Sequence, residues 1–99
     1  MQAVKEMYKV DWPSGEVSEA FTFDTVHPDG VFTFQFRYFS DRWHCWCTTP
    51  DGDRRAVGVV PDVVSWSEYL DYGIVFDTNL QDISYSSLFN TSLYIITWV

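Results

Sequence analysis

From Val31 to Thr49 the chain reads VFTFQFRYFSDRWHCWCTT, two runs of alternating apolar residues around a short polar break. A strand points every second side chain to the same face, so Phe32, Phe34, Phe36 and Tyr38 share one face and Thr33, Gln35 and Arg37 the other. On the second run Trp43, Cys45 and Cys47 lie together, opposite His44, Trp46 and Thr48. The stretch predicts a β-hairpin turning near Ser40, Asp41 and Arg42. Burying each ring of the four-aromatic face contributes roughly 1.5 to 3 kcal/mol of transfer free energy. No other stretch offers as much apolar surface in one period, so the remaining chain has to build the other side of this core.

The flanking segments continue the strand pattern. Val4, Tyr8, Val10 and Trp12 are spaced mostly by two, which predicts an N-terminal arm or edge strand within residues 1–17, stopped by Pro13-Ser14-Gly15. Phe21 and Phe23 alternate with Thr22 and Asp24 in a half-buried strand that ends at His27-Pro28-Asp29-Gly30, a turn signal repeated at Pro50-Asp51-Gly52. Arg54 to Val60 reads as a further strand. Residues 61–73 break the pattern, because Val63, Trp66 and Leu70 are spaced by three and four. A short α-helix is expected there, with Asp62 or a Ser65/Glu68 capping box at its start and Gly73 at its stop. Ile74 to Asp77 returns to a strand, and residues 79–90 read as a polar loop with a helical turn near Ser84 to Leu88. In the last segment Leu93, Ile95, Thr97 and Val99 alternate with Tyr94, Ile96 and Trp98, so both faces are apolar. Such a strand is buried on two sides or lies in an interface.

With 99 residues the chain has room for one core, and residues 18–99 form a single domain in this reading. The expected fold is all-β: a small antiparallel barrel or rolled sheet of about six or seven strands with one short helix. Fourteen acidic residues against six basic ones give a net charge of −8, which argues against binding nucleic acid or anionic membranes through phosphate contacts. Both cysteines sit in Cys45-Trp46-Cys47, where strand geometry separates the thiols by about 7 Å, near the upper limit for a disulfide. Two thiols and no signal-like N-terminus fit synthesis in a reducing cytoplasm.

Chemistry is sparse. His44, Cys45 and Cys47 suggest a metal site, yet His44 points away from the thiols and a lone Cys-x-Cys lacks a second ligand pair. The two histidines, His27 in a turn and His44 on a strand, accompany no nucleophile motif and no phosphate-binding glycine loop. Most aspartates, among them Asp29, Asp41, Asp51, Asp53, Asp62 and Asp71, fall in turns, where Asp bonds its own backbone. No catalytic, cofactor or metal residues are assigned. Aromatic residues make up 19% of the chain, more than a core of this size needs, and interfaces are rich in such rings. Trp46, Trp66, Leu93, Tyr94, Ile96 and Trp98 are the candidate interface residues. Two other readings remain: a small-ligand or carbohydrate-binding domain using Trp43, Trp46 and Trp66, and an enzyme using His44 with nearby acids.

Across residues 18–99 the order of features resembles the baseplate plug proteins of contractile-tailed bacteriophages. An aromatic strand FTFQFRY at Phe32 to Tyr38 leads to a polar turn and a strand opened by Trp43. Asp51-Gly52, a strand ending at Val59-Val60-Pro61 and a segment from Val63 to Tyr69 follow. GIVFD at Gly73 to Asp77, LFNT at Leu88 to Thr91 and LYI at Leu93 to Ile95 complete the series. The family usually carries a glycine before the Val63 segment, where this chain has Asp62. The resemblance implies a structural, non-enzymatic virion protein near the hub of the tail baseplate. It would be made in the host cytoplasm, form homo-oligomers in the assembly and contact other hub, tube and wedge proteins, with no cofactor and no specific contact to nucleic acid or membrane.

Overall fold

Ser40 and Asp41 both have left-handed backbones, with φ of 53° and 59°. That is the geometry of a two-residue type I′ turn, whose twist matches the strands it joins. It connects β3 (Gly30–Phe39) to β4 (Arg42–Thr48), with Phe39 opposite Arg42 and Phe36 opposite Cys45. In this computed structural model, which describes residues 4–66 and 71–98, the hairpin is the centre of a four-stranded antiparallel sheet in the order β2-β3-β4-β5. The outer members are β2 (Ala20–His27) and β5 (Arg54–Val57). A second antiparallel sheet has the order β1-β7-β6, formed by β1 (Val4–Val10), β6 (Tyr72–Asp77) and β7 (Ser92–Trp98).

The two sheets pack face to face. Phe32, Phe34 and Phe36 are fully buried, with Trp43, Cys45 and Cys47 beside them, against Val10, Ile74, Phe76, Leu93 and Ile95 of the other sheet. Rings cross the gap, with Phe36 and Phe76 centroids 6.1 Å apart and Phe32 and Tyr72 4.9 Å apart. Trp12, just past β1, fills one side of the layer against Phe36, Phe76 and Phe89, and its indole N–H donates to the carbonyl of Thr91 at 2.8 Å. The all-β expectation is met with seven strands, arranged as two sheets with no continuous ladder joining them among the described residues.

The helix expected in residues 61–73 is not found where the chain is described. Asp62 and Trp66 have φ of 61° and 73°, left-handed values that an α-helix does not admit. Instead the segment runs along the free edge of β6, bridging Pro61 to Phe76 and Ser65 to Ile74. The N–H groups of Asp62 and Ser65 donate to the carbonyls of Phe76 and Ile74, each at 2.9 Å. Trp66 ties the segment back to the first sheet through its indole N–H and the carbonyl of Ala56, at 2.8 Å. Gly73, expected as a helix stop, is a β6 residue; Glu68, Tyr69 and Leu70 lie outside the described residues. The expected strand over Arg54 to Val60 ends at Val57. The helical turn near Ser84 to Leu88 appears slightly later, as a 3-10 turn over Leu88–Asn90.

Candidate functional site

The outward face of the four-stranded sheet follows from the strand period. With Phe32, Phe34, Phe36, Trp43 and Cys45 inward, β3 presents Val31, Thr33, Gln35, Arg37 and Phe39 to solvent, and β4 presents Arg42, His44, Trp46 and Thr48. Register brings these together: Arg37 faces His44, Gln35 faces Trp46, Trp46 faces Ala56, and Thr48 faces Arg54. The planar groups form one line. The Arg37 guanidinium lies 5.7 Å from the Phe39 centroid, and Phe39 stacks on His44 at 3.7 Å. His44 is followed by Trp46 at 6.3 Å, and the Arg54 guanidinium lies 5.1 Å from the Trp46 ring. Arg54 also donates to Oε1 of Gln35 at 2.8 Å. At the other end, Val26 and Val31 pair across β2 and β3 and stay 71% and 47% exposed.

This packing limits what the face can do. Phe39 packs beside Arg37 and His44, and Trp46 beside His44 and Arg54, so both rings have neighbours from their own sheet rather than standing free for a sugar or base. His44 has no hydrogen-bonded carboxylate, and its Nε2 is buried without a partner among the described residues. The remaining surface is a flat patch of ring edges, guanidinium groups and two valines, which suits contact with another protein surface.

Two clefts flank the sheets. One, of about 630 Å³, lies where β5 stops at Val57 and leaves the Arg42 to His44 part of β4 paired with β3 alone; Val59, Pro61, Asp82 and Ser84 help to line it. Trp43 and Trp46 both border it but belong to opposite faces of β4, and Trp66 does not line it. The three tryptophans of a ligand-binding site are therefore not brought together. The second cleft, of about 410 Å³, lies at the end of the layer near the β2–β3 turn and is lined by Glu6, Asp29, Asp71, His27, Tyr72 and Trp98, among others. Nδ1 of His27 accepts the Asp29 backbone N–H at 3.1 Å, which places the ring proton on Nε2. That Nε2 and the Trp98 indole nitrogen are both buried without partners among the described residues. The Tyr72 hydroxyl donates to Asp29 at 3.1 Å; burial, together with that bond and the charges of Asp29, Asp51 and Asp71, pushes its pKa up to about 12.

The cysteines are free and buried. Burial raises the pKa of Cys45 well above the ordinary thiol value, with a further rise from Cys47, and pushes Cys47 up to about 12. Both stay protonated at neutral pH, the opposite of what a nucleophile or metal ligand needs. Among the described residues no group of three His, Cys, Asp or Glu side chains converges on a metal-binding point.

The sequence candidates for an interface separate. Leu93 points into the core with 0% exposure and offers no surface. Ile96, on the outer face of β7, is 3% exposed, because the segment after β5 folds over that face; a Cβ on neighbouring Gly73 would meet Val64 at 2.8 Å and Ile96 at 3.6 Å. Tyr94 and Trp98 are half-buried on the same face. Trp66 is held internally through Ala56. Trp46 alone of the six stands on the open face of the four-stranded sheet. The arginines that surround it were not among the candidates, although Arg37 was placed outward by alternation; assigning Arg42 and Arg54 to the same face needs the strand register.

Searched against family models, curated proteins and solved structures, the chain matches none.

Proposed function

We propose that this chain is a structural assembly subunit, and that the assembly is the baseplate of a contractile phage tail. The observation that carries the assembly role is the open face of the β2-β3-β4-β5 sheet. It exposes Phe39, Val26 and Val31 and packs its rings beside one another and beside its arginines, so its surface suits a protein partner rather than a small ligand.

The finer reading rests on the resemblance to baseplate plug proteins, and one backbone feature supports it. Where those proteins usually have glycine, this chain has Asp62, with φ of 61°. Glycine adopts that left-handed conformation without penalty, and Asp is one of the few other residues that tolerate it. The same local geometry is thus compatible with both residues. In this role the subunit has no catalytic duty, and its partners are other tail proteins.

The gene neighbourhood and the protein content of purified particles test this reading. Flanking genes for tail tube, hub and wedge proteins, together with detection of the chain in purified tails by mass spectrometry, are expected. A flanking metabolic operon, or absence of the chain from tails that carry the other baseplate proteins, would overturn it.

A further inference from the structure

Charge is unevenly distributed over this acidic molecule. Three of its six basic residues, Arg37, Arg42 and Arg54, stand on the open face of the four-stranded sheet, where Asp24 is the one carboxylate carried by the strands. Asp24 itself accepts a 2.7 Å hydrogen bond from Thr33. The opposite character gathers at the end of the layer near the β2–β3 turn, where Glu6, Asp29 and Asp71 line a cleft whose described lining includes no Lys or Arg. His27 and Trp98, which also line it, carry buried ring nitrogens without a partner among the described residues.

We propose that the open sheet face docks a second copy of this chain, which presents its Glu6, Asp29 and Asp71 end to Arg37, Arg42 and Arg54. The proposal takes from the assembly reading the expectation that copies meet, and from the charge distribution the way they meet. A net charge of −8 works against two copies approaching in most orientations, and this one sets the basic patch against the acidic end. The face suffices in size: four strands spaced about 4.8 Å apart and some seven residues long give roughly 450 Å² in projection. Counted on both partners this is about 900 Å², the range of weak, reversible contacts rather than obligate dimers. Because the two surfaces differ, the contact is head-to-tail, and it propagates into a ring or an open filament instead of closing as a two-fold dimer.

The test uses the whole chain in sedimentation velocity over a range of concentrations, at low and high salt. One variant carries Arg37→Glu with Arg54→Glu, the other Glu6→Lys with Asp71→Lys; all four positions are exposed. Wild type is expected to gain mass with concentration at low salt and to lose it at high salt as the charges are screened. Each double variant is expected to remain monomeric, with association weakened more than tenfold. An equimolar mixture is expected to regain association and to grow beyond a dimer, because the acidic end of the first variant meets the unchanged basic face of the second and the reversed charges of the two variants also face each other with opposite sign. Arg37→Gln with Arg54→Gln replaces the first variant if circular dichroism shows that it is misfolded. Wild type that is monomeric throughout, a mixture that stays monomeric, or a double variant that assembles like wild type overturns the proposal. Binding of a single-stranded oligonucleotide, read from tryptophan fluorescence and lost in the arginine variant, would also overturn it by naming a different occupant. A monomeric wild type leaves the baseplate reading standing, and a metabolic gene neighbourhood leaves the self-association standing, so the two fail separately.

Discussion

Replacing Phe36 with alanine is expected to remove a large part of the stability of this fold. Its ring is fully buried and lies 5.1 Å from Phe21, 5.4 Å from Trp12, 6.1 Å from Phe76 and 6.2 Å from both Phe23 and Trp43, so it contacts both sheets and the loop after β1. Phe to Ala changes in cores cost about 3 to 5 kcal/mol, from lost burial and the cavity left behind. A domain of this length has about 5 to 15 kcal/mol in total. At about 4 to 8 °C per kcal/mol, the melting temperature falls by at least 12 °C. Phe39→Ala, three residues along the same strand on the open face, is the control and costs under about 1 kcal/mol. Urea titrations followed by circular dichroism measure both, with Phe36→Leu as an intermediate of about 1 to 2 kcal/mol should the alanine variant not fold. If Phe36→Ala costs no more than Phe39→Ala, the assignment of inward and outward faces to β3 is wrong.

Further outcomes follow from the backbone and the thiols. Converting Ser40-Asp41 to Asn-Gly stabilises the hairpin by up to about 1 kcal/mol, since both positions are left-handed; an unchanged or lower urea midpoint contradicts the type I′ turn. Asp62→Gly is neutral or mildly stabilising while Asp62→Val costs about 1 kcal/mol or more, and equal melting temperatures for the pair contradict the left-handed backbone there. Gly73→Ala costs about 1 to 3 kcal/mol, because its Cβ meets Val64 at 2.8 Å and Trp98 at 3.1 Å, and a silent substitution means that the segment after β5 does not cover β6. The folded state holds the Cys45 and Cys47 protons at pH values where the unfolded chain releases them. Their contribution is therefore complete below the ordinary thiol pKa near 9 and is lost as pH rises past it toward the raised values, about 12 for Cys47. A urea midpoint that is flat from pH 7 to 8 and declines above pH 9 is expected, and one that rises above pH 9 contradicts the burial of the thiols.

How much of this was legible in the sequence depended on whether side chains or backbone decided the outcome. The central hairpin was, because a period of two over Phe32 to Tyr38 and Trp43 to Cys47 leaves one face inward. Residues 61–66 were not, because spacings of three and four at Val63, Trp66 and Leu70 imitate a helix, whereas the left-handed backbones of Asp62 and Trp66 carry no periodic signal. The two-sided apolar pattern at the C-terminus allowed an intermolecular strand or an internal one. The structure makes β7 the middle strand of its sheet, with both edges paired within the chain, so deleting residues 93–99 would remove core rather than an interface. Trp46 was legible as an outward ring; its arginine neighbours were not, since bringing Arg54 beside it requires the β4–β5 register.

The claim that the open face of the four-stranded sheet is where this molecule meets its neighbour is tested most directly by hydroxyl-radical footprinting of the whole chain at low salt, from dilute to concentrated solution. Labelling of Trp46 and Phe39 is expected to fall with concentration, while Leu80 and Val63, exposed elsewhere, keep their rates. Equal labelling of Trp46 and Phe39 at every concentration, or protection confined to Leu80 and Val63, would contradict it.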